Sequence, residues 1–197
     1  MAIDIKIVEE AKKPIAMHPK KFALWLFIAT VVMVFAALTS AYIVRQSNGS
    51  WLVFDLPNMF WVNTAIILAS SLTMHWAYVS AKQDKIDVTK LAITLTTILG
   101  TAFLVGQFFA WGQLVDNQIY LRGKDATAVS GSFLYVISWL HWLHVISGVV
   151  VLVVSTTSVF RLKANSKNLL GLEMCATYWH FLDVLWLYLF VFLLLNR

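Results

Sequence analysis

The stretch ATYWHFLDVLWLYLFVFLLL, residues 176 to 195, decides the fold class, and it does so through a contradiction. It is long and apolar enough to cross a bilayer, which takes about 20 residues. Yet the run contains His180 and Asp183. An ionised aspartate at the centre of a membrane helix costs about 2.5–3.5 kcal/mol on insertion scales. In hydrocarbon such groups face protein, water or one another, so this stretch reads as one helix of a bundle whose other members receive the polar groups.

The rest of the chain agrees. Of its 197 residues, 60% are hydrophobic and only 13% charged, with a mean hydropathy of +0.76. Soluble domains carry about 25% charged residues, so lipid is the solvent this composition fits. The net charge is +5, but the Lys and Arg residues form no cluster of the kind that binds nucleic acid. They lie in the segments between apolar runs, where they set topology. Cys175 is the single cysteine, which excludes a disulfide framework and a thiolate metal cluster. The polar, basic segment ahead of the first apolar run has no cleavable signal pattern.

The reading is all-α: a polytopic membrane bundle of five helices, over about residues 22–44, 58–80, 91–114, 132–160 and 174–195. Residues 1–21 form a tail and 22–197 a single membrane domain. Pro57 is placed to start the second helix. Each segment reaches about 30 Å or more at 1.5 Å per residue, and the fourth is the longest. With five spans the termini lie on opposite sides. The N-terminal tail and the loops 81–90 and 161–173 carry Lys6, Lys12, Lys13, Lys20, Lys21, Lys82, Lys85, Lys90, Arg161, Lys163 and Lys167, against Arg45, Arg122, Lys124 and Arg197 on the other side. The positive-inside rule then places the N-terminus in the cytoplasm and the C-terminus in the periplasm.

The ionisable groups within the spans are His75 on the second, His141 and His144 on the fourth, and Glu173, His180 and Asp183 on the fifth. Gln107 and Gln113 on the third also need partners. Glu173, Thr177 and His180 are spaced four and three apart and share a helix face. His141, Val145 and Gly148 share a face of the fourth helix, and Gly148 allows a neighbour to approach closely there. This geometry lets His180 meet His141 or His144, or bond to Asp183 on its own helix. Four uses remain open at this stage. His141 and His180 on facing helices are the elements of a bis-histidine haem site. A metal site lacks a carboxylate–histidine cluster. A proton path through His180, Asp183 and Glu173 is chemically sound. The fourth is a packed, internally bonded polar network that fixes helix register.

Trp51, Trp61 and Trp111 fall near expected membrane interfaces, whereas Trp139, Trp142, Trp179 and Trp186 lie deeper, as packing bulk. Ala36 and Ser40, or Ala37 and Ala41, are four apart on the first span, a spacing that permits a close helix contact.

The same residues carry a family resemblance. TYWHFLDVLWLYLF, from Thr177 to Phe190, closely resembles the terminal signature of cytochrome oxidase subunit III. WLHWLHVISG, from Trp139 to Gly148, is similar to that family's H-G-L-H-V-x-x-G segment, and Glu173 stands where the family has a glutamate before its signature. The likeness runs from about Gly106 to Leu195, and more weakly through the first span. It implies a bacterial inner-membrane complex, a haem–copper terminal oxidase that reduces oxygen and pumps protons. In it this chain would be the non-catalytic subunit, binding neither haem nor copper. It would pack on subunit I, beside subunit II and further small subunits, hold phospholipid between its helices and support sustained turnover. Five spans resemble the family's short bacterial form. His141, His144, Glu173, Tyr178, Trp179, His180 and Asp183 match by position, with an inferred structural and lipid-contact role. One position departs: Val31 stands where the family often has a buried glutamate, so no role of that carboxylate carries over. The rivals are a small bis-histidine membrane cytochrome and an independent proton or small-molecule carrier.

Overall fold

A computed structural model describes residues 18–47, 56–117, 128–161 and 169–196. They form five α-helices, α1 (Pro19–Gln46), α2 (Asn58–Lys82), α3 (Ile86–Asp116), α4 (Ala128–Phe160) and α5 (Leu170–Leu195), with no strand among the described residues. Each expected helix is present and most are a few residues longer at their ends. α4 is the longest, at 33 residues.

The helix ends follow local chemistry. Pro19 opens α1, where its missing N–H would be unpaired in any case, and His18 Nδ1 accepts from the Lys20 N–H at 3.2 Å. Between α2 and α3 the chain turns within three residues, and Asp84 adopts φ 54°, a left-handed conformation that a short polar side chain tolerates.

Pairwise contacts fix the topology. α2, α3, α4 and α5 form a ring in which each touches two neighbours, and α1 lies outside, against α4 and α5. Contacts such as Asn63 with Gln107, Thr97 with Thr156 and Ser147 with Tyr178 make successive helices antiparallel. α1 and α5 run parallel: Lys21 meets Glu173 at one end, and Tyr42 meets Asn196 at the other. Among the described residues, Lys20, Lys21, Lys82, Lys85, Lys90 and Arg161 stand at the end of the bundle where α1 begins. Arg45 stands at the opposite end. The other basic residues of the topology argument, Trp51 and most of both outer loops lie outside the described residues.

One expectation is met in part and one needs correcting. Four helices, all but α2, are apolar and long enough to cross a membrane. α2 falls short in hydropathy because of Asn63, Thr64, Ser70, Ser71, Thr73 and His75. The reason is visible in the packing: Asn63, Thr64 and Ser70 are buried and face the interior of the ring. Hydropathy averages residue types without regard to face. The correction concerns Ala36, Ala37, Ser40 and Ala41, which are exposed on α1. α1 packs through Ile28, Val31, Phe35, Thr39 and Tyr42, the opposite side of the helix.

Candidate functional site

The site is the interior face of α5 and what meets it. Trp179 and Trp186 are seven residues apart, two helical turns, and both are almost wholly buried. They point into the ring and touch all three of its other helices. Trp186 stacks on Phe60 of α2 at 5.9 Å, meets Phe103 of α3 edge-on at 5.0 Å and lies 5.2 Å from the His141 ring of α4. Its indole N–H donates to Thr64 Oγ1 at 3.0 Å. Trp179 donates to Ser70 Oγ at 3.1 Å. A buried indole N–H without an acceptor would cost its full desolvation, so α2 supplies one hydroxyl per tryptophan. Six residues separate Thr64 from Ser70, close to the spacing of the tryptophans, as an antiparallel neighbour requires.

Space for these rings comes from glycine. A Cβ on Gly100 of α3 would stand 2.6 Å from Trp179 Cη2, and one on Gly148 would stand 2.6 Å from Leu182 Cδ1 and 3.1 Å from Trp179 Cζ3. The close approach expected at Gly148 is therefore made by α5.

The candidate residues fall into separate surroundings. His141 is fully buried among aromatic rings, Phe35 of α1, Phe103 and Trp186, and neither ring nitrogen has a hydrogen-bond partner among the described residues. His144 donates from Nδ1 to the Leu140 carbonyl at 2.7 Å and meets Phe35 edge-on. Tyr178 shares a 2.7 Å hydrogen bond with Ser147 and packs against Phe27 of α1, so it joins α5 to α4 and α1 together. Glu173 receives Lys21 Nζ at 2.6 Å and ties the start of α5 to the start of α1. Glu173 is thus engaged away from His180 and Asp183.

His180 turns to α2. Its Nδ1 lies 2.8 Å from Ser71 Oγ, and its ring centroid is 6.3 Å from that of His75. Asp183 Oδ2 stands 3.9 Å from the same nitrogen, near but beyond hydrogen-bonding distance. The Asp183 side chain is buried beside the Ser71 hydroxyl, and neither carboxyl oxygen is in hydrogen-bonding geometry with a described donor. The structure brings together His180, Asp183, Ser71 and His75. His141, set among its aromatic rings, and His180, turned to α2, do not form the facing pair a bis-histidine haem would need. No group of three or more His, Cys, Asp or Glu is placed to hold a metal ion among the described residues.

Thr64, Ser70, Ser71, Gly100 and Ser147 complete the site and were absent from the sequence reading. The signal for the first three was the low hydropathy of α2 itself, with hydroxyls recurring at the spacing of the α5 tryptophans.

Fold and site define a multi-pass helical membrane protein whose inward polar groups chiefly bridge helices. The chain belongs to the cytochrome c oxidase subunit III family, whose sequence profile matches residues 9–196. It is similar to "Cytochrome c oxidase subunit 3" of the turtle Pelomedusa subrufa, 36% identical over 141 residues, 70% of this chain and 49% of the relative. It therefore spans about half the length of that curated relative. Among bacterial relatives, "Cytochrome c oxidase subunit 3" of Corynebacterium diphtheriae is 28% identical over 84% of this chain and 82% of its own length. "Probable cytochrome c oxidase subunit 3" of Rickettsia bellii is 28% identical over 94% of this chain and 72% of its own.

Proposed function

We propose that this chain is the non-catalytic subunit III of a haem–copper terminal oxidase in a bacterial inner membrane. It stabilises the catalytic subunit I, in a complex that also holds subunit II and further small subunits. Haem and copper reside in those partners, and this chain sustains oxygen reduction and proton pumping without carrying electrons. The observation that supports this reading is the placement of the residues that carry the resemblance. Tyr178 and Glu173 join helices, Trp179 fills the centre of the ring, and His180 bonds across to α2.

In this reading all five helices cross the bilayer, α2 included. Its polar residues are turned inward to the indoles, so lipid does not meet most of them. The basic end of the bundle faces the cytoplasm and the C-terminus the periplasm. A structural phospholipid takes the groove of about 580 Å³ between α1, α4 and α5, where Leu24, Val150, Val151 and Val154 accept acyl chains and Lys20 attracts an anionic headgroup.

The test is purification through a tag on this chain in mild detergent, followed by a visible spectrum and identification of the partner chains. The expected result is a haem spectrum that travels with partner polypeptides and disappears when this chain is isolated. A Soret band retained by the isolated chain and removed by His180→Ala or His141→Ala would establish the cytochrome reading instead. Transport by the chain alone in liposomes would establish the carrier. Deletion of the chain should leave the initial rate of oxygen reduction largely intact and shorten its duration.

A further inference from the structure

The centre of the ring holds more polar atoms than its hydrogen bonds account for. Asn63 of α2, Gln107 of α3 and His141 of α4 are all buried. Asn63 Nδ2 donates to Gln107 Oε1 at 3.2 Å, which uses one half of each amide. Asn63 Oδ1, Gln107 Nε2 and both His141 nitrogens have no hydrogen-bond partner among the described residues. His141 stands thirteen residues from one end of α4 and nineteen from the other, about 20 Å or more inside at the helical rise. Each such atom left alone forfeits its hydration with nothing in return.

These atoms fall in one layer. Phe103, Gln107 and Trp111 are four apart and share a face of α3. Phe103 meets the His141 ring at 6.1 Å, and Trp111 donates to Ser138, three residues before His141, at 3.1 Å. Gln107 therefore faces α4 at the level of His141. Neither group is free to swing to the other. Gln107 is held by Asn63, whose own oxygen is pressed against Gly106 so closely that a Cβ there would collide with it. His141 is set among the rings of Phe35, Phe103 and Trp186.

We propose that a buried water is bound in this layer, between Gln107 Nε2 and His141. It accepts from the amide and makes its second hydrogen bond to an imidazole nitrogen, with Asn63 Oδ1 as the remaining polar atom of the layer. Three partners, donors and acceptors together, are what a buried water ordinarily takes. Two polar groups out of direct reach of each other are what one joins. A metal ion suits the layer less well, since the unpaired amide group is a donor where a cation needs a lone pair. The water ties α4 to the pair α2 and α3 in the middle of the bundle.

The experiment is hydroxyl-radical footprinting of the full chain as it purifies from its membrane. A bound water labels the side chains around it even where bulk solvent does not reach. The expected result is oxidation of Phe103 and Trp186 that is lost in the double variant His141→Phe, Gln107→Leu. That variant replaces both polar ends by apolar groups of similar bulk, so the fold should survive it. No oxidation of either ring, or equal oxidation in the two proteins, overturns the proposal. A direct bond between His141 and Gln107 would give that result. The single substitution His141→Phe supplies a second readout whose sign discriminates. In a dry layer, removing two unpaired nitrogens leaves stability unchanged or raises it. With a bound water the substitution strands Gln107. Unfolding in mixed micelles then shifts about fivefold towards the unfolded state, the order expected for one hydrogen bond, and the double variant recovers part of the loss. A neutral or stabilising His141→Phe contradicts the bound water.

Discussion

α5 and α1 are parallel neighbours of similar apolarity, and they do opposite work in the bundle. In the most apolar 18 residues of each, 56% are buried in α5 and 22% in α1. α5 inserts Trp179 and Trp186 into the ring and touches α1, α2 and α4 along its length. α1 is held at discrete points: Lys21 to Glu173, Phe27 to Tyr178, Thr39 to Tyr188, and Tyr42 and Gln46 to the Asn196 carbonyl. In lipid, apolarity does not by itself bring helices together, because acyl chains solvate leucine as well as another helix does. What separates the two is shape and hydrogen bonding. α5 has bulky rings matched to glycines and hydroxyls on its neighbours, whereas α1 turns its small residues outward.

This comparison sets the order of expected effects. Trp186→Ala should be the most damaging, removing a stacked ring and leaving a cavity where three helices meet, for a loss of about 3–5 kcal/mol. The matched substitution on α1, Trp25→Ala, removes an outward-facing ring and should change stability by no more than about 0.5 kcal/mol. Unfolding of the purified protein in mixed micelles measures both, and equal losses would erase the distinction between the helices.

Next comes the glycine contact. Gly100→Ala drives a methyl into Trp179 and should cost about 1–3 kcal/mol. Trp179→Phe removes the atoms in conflict, so the double variant should lose less than the sum of the two single ones. Additive losses would mean that the ring and the glycine do not meet.

The smallest effect belongs to the α1 tether. Lys21→Met breaks a pair whose side chains are each about one-third exposed and should cost below about 1 kcal/mol. The difference from the unsubstituted protein should shrink at high salt. A loss as large as that of Gly100→Ala would make α1 an integral part of the core.

The five helices were legible because apolar runs of this length have few other readings. The close approach at Gly148 was legible because a glycine on the same face of the fourth helix as His141 leaves room for a neighbouring helix. The pairing of the polar groups was not. Helical spacing shows that Glu173, Thr177 and His180 share a face, but which helix lies opposite depends on the order round the ring. That order puts α2 beside α5, so His180 meets Ser71 and His75 where an α4 histidine was considered. Glu173 stands in the first turn of α5, level with Lys21, so its partner comes from α1 and not from the His180–Asp183 group. The small residues of α1 permit a close contact by their size, but size does not compel it, and they face outward. Hydropathy marks four of the helices as spans and leaves α2 short, because the acceptors for the tryptophans are on it.

α5 is locked into the ring through its tryptophans and the hydroxyls of α2. A double-mutant cycle on Thr64→Val and Trp186→Phe measures that link directly. Both substitutions keep most of the side-chain bulk and remove the two ends of one hydrogen bond. The predicted coupling is about 0.6–1.5 kcal/mol, the range for interhelical hydrogen bonds in membranes. A coupling indistinguishable from zero would contradict it.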